Sequence, residues 1–487
     1  LKSLLTIASL TLGLGVAYFI PGVGAPAVLV CTAAAVLAGA LIRRSCEDGS
    51  ILQVFVAALL FRLTIATIIY ALDMHSYFGG DAITYDDIGS MLLQHWRGEL
   101  SPDVYKELVA PRLITNWGMG YLDAIIYAVT GRNMLAVQFF NSVAGAATAP
   151  LIYYCAHHIF GNLRVARLSL LFVAFWPSLA LWSAQGLKDG PIMFLLALTF
   201  LLALKLSDRV RVSYCLLLVC ALLCLLSLRF YIFYIVVASI SSSYVLGLAS
   251  SGSQKTLRQV ASIGIMSLAL TFTGISRTAT TQVEYFGNLE VLQRSRAEQA
   301  SFDSGYGKDL DVSTTSGALG IIPLGAAYLL FAPFPWQLTN FRQSITMPEM
   351  LIWWCCFPLL LVGLWYALRF KLRQSLPILL FTMMLTLAYA IFQANVGTAY
   401  RQRSQLMEFY FIFVSVGFVL LREGRENRAR LRLVEASRLK ERARLLRLSK
   451  APTYSSRPAP DRLVTPPPEP SVLQQTGIRG DGGLSSH

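Results

Sequence analysis

Runs of mostly apolar residues recur along this chain, at 50–73, 133–156, 165–184, 189–206, 259–275, 347–368, 376–393 and 405–421. Each approaches the roughly 20 residues a helix needs to cross a bilayer. A single cleaved signal peptide cannot explain so many runs. The chain is 55% hydrophobic and only 14% charged, a balance that a soluble domain could not carry without exposing large apolar patches. The expected fold is all-α, a polytopic transmembrane helix bundle with about 11–13 spans.

Charge orients the bundle. Short cytoplasmic loops are enriched in Lys and Arg, which puts Arg43 with Arg44, Arg164 with Arg167, Lys205 with Arg209 and Arg211, Lys255 with Arg258, and Arg369 with Lys371 and Arg373 on the inside. That path makes 1–49 an N-terminal transmembrane hairpin and 50–421 a core with two long outer loops, at about 74–117 and 276–346, from the same charge rule. The weak run 113–130 is expected to be re-entrant or interfacial. Between Arg422 and Lys450 eleven Lys or Arg face four Glu, which is half of the net charge of +14. This excess reads as a basic cytoplasmic juxtamembrane helix that touches anionic lipids, not as a nucleic-acid surface. Residues 451–487 turn to Pro, Ser and Gly, the composition of a disordered tail. With its short basic loops and no targeting presequence, the chain is expected in a bacterial plasma (inner) membrane, with the active site on the outer face and the C-terminal tail cytoplasmic. Eight cysteines include no CxxC or Cys/His pattern. Cys31, Cys155, Cys215, Cys220, Cys224, Cys355 and Cys356 fall in apolar runs and are read as small buried hydrophobes, and no metal site is assigned.

The densest polar stretch is the first outer loop. It packs Asp73, Asp81, Asp86 and Asp87 at the mouth of a span, and Gly79 with Gly80 turns the chain just before Asp81. A carboxylate there could serve as a general base, or the cluster could hold a divalent cation; an acidic loop whose Asp81 caps a helix is the plainer reading. If 81–95 is helical, Asp81 and Tyr85 share a face. Lys188 and Asp189 lie between two spans, either as a simple polar connection or as a phosphate-binding cation at headgroup level with its acid. Arg229 stands alone between apolar runs beside Tyr231, which is costly in lipid unless it is paired, functional or snorkelling. Arg401 and Arg403, next to Tyr400, lie on the outer side, against the charge rule; guanidinium forks in that position suit a lipid phosphate.

The order GGDAITYDDIG, FGNLRVARLSLLFVAFWPSLALWSAQGLKDGPIMFLLAL, LRFYIFY and GTAYRQRSQLMEFYFIF resembles the GT-C superfamily of polyprenyl-phosphate-dependent membrane glycosyltransferases, in its protein-mannosyltransferase-like and aminoarabinose-transferase-like branch. The resemblance covers roughly 50–421. It implies inverting transfer of a hexosyl or pentosyl group from a polyprenyl-phosphate-linked donor to a glycan, lipid or protein acceptor on the outer face. Asp81 would then be the catalytic base, with Lys188, Arg229, Arg401 and Arg403 on the departing phosphate. Asp73, Tyr85, Asp86, Asp87, Asp189, Tyr231 and Tyr400 complete the candidate binding set. The chain departs from better-known members in lacking a clear paired Asp-Glu motif and a large soluble C-terminal domain. A polysaccharide polymerase or ligase using a lipid-linked oligosaccharide, and a lipid-linked saccharide transporter or flippase, are the competing readings.

Overall fold

The computed structural model describes residues 2–45, 48–78, 80–113, 117–248, 264, 288–338 and 341–449. The expected span at 259–275, the loop cations Lys255 and Arg258, part of the second outer loop and the 451–487 tail lie outside the described residues. The described chain is helical, and its sole β element is an isolated bridge between Gly305 and Asn395. It divides into two units, Leu1–Gly424 and Arg425–His487.

Among the described residues eight helices are long and apolar enough to span a membrane, or nine when the bent pair Leu163–Phe175 and Pro177–Ser183 counts as one span. The shorter apolar helices Val212–Leu228 and Phe230–Leu246 lie between them in sequence. Trp117–Thr130 covers the weak run and has 14 residues, too few for a crossing. Local chemistry sets the ends of several helices. Asn133 and Asn162 accept hydrogen bonds from the first-turn amides of Met134–Phe160 and Leu163–Phe175, and Gly161 (φ 64°) closes the former in the left-handed region.

Met134–Phe160 and Ser404–Arg442 each have an apolar stretch that is 83% buried, against 6% for Lys2–Phe19. The former helices therefore form the centre of the bundle, and the N-terminal helix presents Leu4, Ile7, Leu10 and Leu14 outward, where lipid is the solvent. Small residues let central helices approach. A Cβ on Gly363 would collide with the Phe413 carbonyl, and one on Gly417 with that of Leu359, so the helix before the basic loop at 369–373 packs backbone to backbone on the last span. Of the cysteines, Cys31, Cys155, Cys215 and Cys356 are buried, but Cys220, Cys224 and Cys355 are exposed. Those three lie on outward faces of apolar helices, where burial in protein is not needed to keep a thiol out of water.

In the second unit residues 425–449 are helical and the side chains of 427–442 are exposed. The basic stretch is thus a helix, as its lack of Pro suggests.

Candidate functional site

Asp81 is the first residue of the helix Asp81–Trp96, where an acid favours the helix dipole. Its carboxylate is not used as a cap. Oδ2 accepts from Arg401 Nη1 at 2.6 Å. Tyr85 follows one turn later on the same face, and its ring lies 5.8 Å from Lys188 Nζ.

Arg401 belongs to the short helix Val396–Gln402, whose start is fixed by Asn395 accepting from the Thr398 amide. From there its Nε donates to Asp189 Oδ2 at 2.6 Å. Asp189 opens the central span Asp189–Asp208 and is fully buried. Its Oδ1 accepts from Arg229 Nη2 at 3.4 Å and from Gln405 Nε2 at 3.3 Å. Arg229 caps the end of Val212–Leu228, and its Nη1 donates to Tyr389 Oη at 3.4 Å. Tyr389 in turn donates to Gln405, and the Tyr231 ring stands edge-on to it. Three segments, at 189, 229 and 401–405, thus meet around one carboxylate, and Arg401 joins Asp81 to it.

The charges here do not cancel. Lys188, Arg229 and Arg401 face Asp81 and Asp189, leaving one positive charge over whenever Lys188 is protonated. Burial, then the neighbouring Arg229, pushes the Lys188 amine down to about 7, with Asp189 pulling the other way. Burial and the Asp81 charge push the Tyr85 phenol up to about 12, so it stays neutral. Among the described residues, the buried Arg401 Nη2 has no hydrogen-bond partner, while the guanidinium lies 6.0 Å from the Trp182 ring centre. A surplus cation, an unsatisfied donor and a titratable amine suit an anion that brings several acceptor oxygens.

The other sequence candidates are placed elsewhere. Asp86 and Asp87 turn to Arg132, at 2.5 and 2.6 Å from its Nη2, and Tyr127 donates to Asp86. This second cluster ties Asp81–Trp96 to Trp117–Thr130 and the turn after it. Asp73 has φ 47° and an almost fully exposed side chain that meets only His75, at 3.4 Å. Arg403 points away from Asp189, donating to the carbonyls of Leu330 (3.0 Å) and Ala332 (3.2 Å) and lying 4.9 Å from the Tyr400 ring.

Tyr400 is hydrogen-bonded to a residue the sequence did not single out. Glu349 Oε2 accepts from Tyr400 Oη at 3.0 Å and from the Ser178 amide at 2.8 Å, and Oε1 accepts from Trp176 Nε1 and Ser178 Oγ, both at 2.6 Å. Pro177 explains the arrangement. Its missing N–H frees the Val173 carbonyl, and the break frees the Ala174 carbonyl and the Ser178 amide. Arg62, buried in the span Gly49–Ala71, donates to Ala174 at 2.6 Å and Val173 at 3.2 Å, and its Nε to Ser183 Oγ at 2.9 Å. Arg62 therefore satisfies the carbonyl side of the break and Glu349 the amide side. An arginine within an apolar span was the available signal. The bend sets the course of the segment that delivers Trp182, Lys188 and Asp189.

Among the described residues no group of three or more His, Cys, Asp or Glu is placed to hold a metal ion. Asp86 and Asp87, the nearest acidic pair, are held by Arg132.

No curated protein matches the chain. Among solved structures, the archaeal oligosaccharyltransferase AglB from Archaeoglobus fulgidus, in complex with an inhibitory peptide and a dolichol-phosphate, matches at 12% identity with a TM-score of 0.36. That match covers 66% of this chain and 44% of the archaeal one, so the chain spans less than half the length of that relative. Residues 117–275, which include Lys188, Asp189 and Arg229, match the model of the family described as dolichyl-phosphate-mannose-protein mannosyltransferase. The resemblance is thereby borne out for the stretch that holds FGNLRVARLSLLFVAFWPSLALWSAQGLKDGPIMFLLAL and LRFYIFY: over 117–275 this membrane protein carries the pattern of the dolichyl-phosphate-mannose-protein mannosyltransferase family.

Proposed function

We propose that the chain transfers a sugar from a polyprenyl-phosphate-linked donor to an acceptor at the outer face of the plasma membrane, with inversion at the anomeric carbon. The observation that carries this reading is the ion-paired cluster itself, in which the half-exposed Asp81 carboxylate shares Arg401 with the buried Asp189, and Asp189 also pairs with Arg229. The family match supplies the class of donor.

In this reading the donor phosphate takes the surplus charge of Lys188, Arg229 and Arg401. It competes with Asp81 for Arg401 Nη1, while Asp189 keeps Nε. Asp81, released, accepts the proton of the acceptor hydroxyl as the oxygen bonds to the anomeric carbon and the C–O bond to phosphate breaks. The phosphate leaves with that electron pair, and the three cations stabilise charge where it develops. Tyr85, Tyr231 and Tyr400 line or brace the same end of the bundle. Asp86 and Asp87 hold the helix that carries Asp81. The residues of 422–450 rest on anionic lipid at the cytoplasmic side.

The test is a comparison of lipid-linked saccharides and surface glycans in cells carrying the wild type, a deletion and Asp81→Asn. The transferase reading expects both altered strains to accumulate the same lipid-linked donor and to lose one sugar from the product. An altered transbilayer distribution of the lipid with no covalent change would favour a flippase. A ladder of product lengths, against a single shift, would mark a polymerase.

A further inference from the structure

At the end of the bundle opposite Asp81 lies a cavity of about 500 Å³, within the usual range of small-ligand sites. Its wall comes from the last turns of Met134–Phe160, Asp189–Asp208 and Phe230–Leu248 and from Phe370–Gln374, where one span ends, Lys371 intervenes and the next span begins. The helix Asp189–Asp208 runs from one site to the other, so the two are about 30 Å apart at 1.5 Å per residue.

Apolar packing would close this space at least cost, yet the wall is polar. Lys371, Arg373, Gln374, Ser207, His158 and Asp208 all line it. Two cations face one carboxylate, and that carboxylate also lies 3.5 Å from His158 Nε2. Lys371 makes no ion pair among the described residues. The surroundings add positive charge, since Lys205 and Arg209 end one flanking helix and Arg369 precedes the turn. Lys371 sits between the spans Gln343–Phe370 and Leu372–Phe392, at the depth where a bilayer changes from hydrocarbon to headgroup. A net cationic, hydrogen-bonding cavity at that depth fits a phosphate group.

We propose that this cavity is a second anion site, which binds a phosphate group on the membrane face opposite the Asp81 cluster, supplied either by a lipid headgroup or by soluble phosphate. It is independent of the transferase reading and uses none of that site's residues.

The experiment is native mass spectrometry of the full chain in neutral detergent, titrated with phosphatidylglycerol, with diacylglycerol of the same chains, and with inorganic phosphate. Wild type should retain one phosphatidylglycerol through delipidation and no diacylglycerol. Lys371→Gln, and independently Ser243→Trp, which fills the cavity without changing its charge, should each weaken that retention at least tenfold. If millimolar inorganic phosphate displaces the lipid and raises the melting temperature of the wild type but not of Lys371→Gln, the natural occupant is soluble phosphate; if it does neither, the occupant is a headgroup. Equal retention by wild type and both variants, or retention of diacylglycerol as strong as that of phosphatidylglycerol, overturns the proposal.

Discussion

Arg62 and Arg403 are buried as deeply as Arg229 and Arg401, yet the two pairs are used differently. The first pair donates to backbone carbonyls, Val173 and Ala174 for Arg62, Leu330 and Ala332 for Arg403. Those carbonyls are fixed by helix ends and breaks, and a further ligand could not replace them. The second pair donates to side-chain carboxylates, Asp189 being shared by both arginines, and Lys188 beside them adds a further cationic group. Burial alone therefore does not mark a functional cation in a membrane. What the cation is paired with does: backbone partners make a brace, whereas shared carboxylates can exchange for an incoming anion.

The sharpest way to break this contrast is to remove the exchangeable partners. Asp81→Asn should lower transfer by about 10²–10⁴-fold, the usual worth of a general base, with an unchanged melting temperature, measured by donor turnover and by thermal unfolding of the same preparation. Arg401→Gln should cost about 10²–10³-fold in kcat, as loss of one donor to a developing charge does elsewhere, with only a modest loss of stability because Asp189 keeps Arg229. Arg62→Leu should give the opposite pattern. It strands two carbonyls and should destabilise the fold by about 2–4 kcal/mol, read as a lower unfolding midpoint, while turnover per folded molecule stays near wild type. Equal effects of Arg401→Gln and Arg62→Leu on turnover would erase the distinction.

The smallest effect concerns proton uptake at Lys188. Its amine sits near 7 in the free protein, below the ordinary lysine value, and a bound phosphodiester raises it by favouring the charged form. Binding then takes up a proton, so affinity is greatest below pH 7 and falls as pH rises, by at most about tenfold per unit above 7 until the raised pKa is reached. Measured from pH 6 to 9 with a phosphodiester donor, the slope should be present in wild type and flattened in Lys188→Arg, which stays protonated throughout.

Much of the bundle was legible because the length and apolarity of a span are local properties of the chain. So was the face shared by Asp81 and Tyr85, which needs only helical spacing. The cations Lys188, Arg229 and Arg401 stood out for a local reason too, a charge at an apolar boundary. The convergence of Arg229 and Arg401 on Asp189 did not, since it spans 40 residues for the one and 212 for the other. Arg403 shows the converse. By local rules it resembles Arg401 two positions away, but helical rotation turns it to the carbonyls of another helix. Glu349 carried no local sign of its four donors, three of which lie at Trp176 and Ser178 far upstream, on either side of Pro177. Arg132 was invisible as the partner of Asp86 and Asp87 for the same reason.

The most direct test of the central claim is turnover of a polyprenyl-phosphate sugar by the purified chain in nanodiscs, wild type beside Asp81→Asn. The account expects wild type to release polyprenyl phosphate as it consumes donor in the presence of acceptor, and the variant to bind donor at least as well without turning it over. Undiminished turnover by Asp81→Asn would contradict the assignment of the base, and donor left intact by the folded wild type, with acceptor present, would contradict the transferase itself.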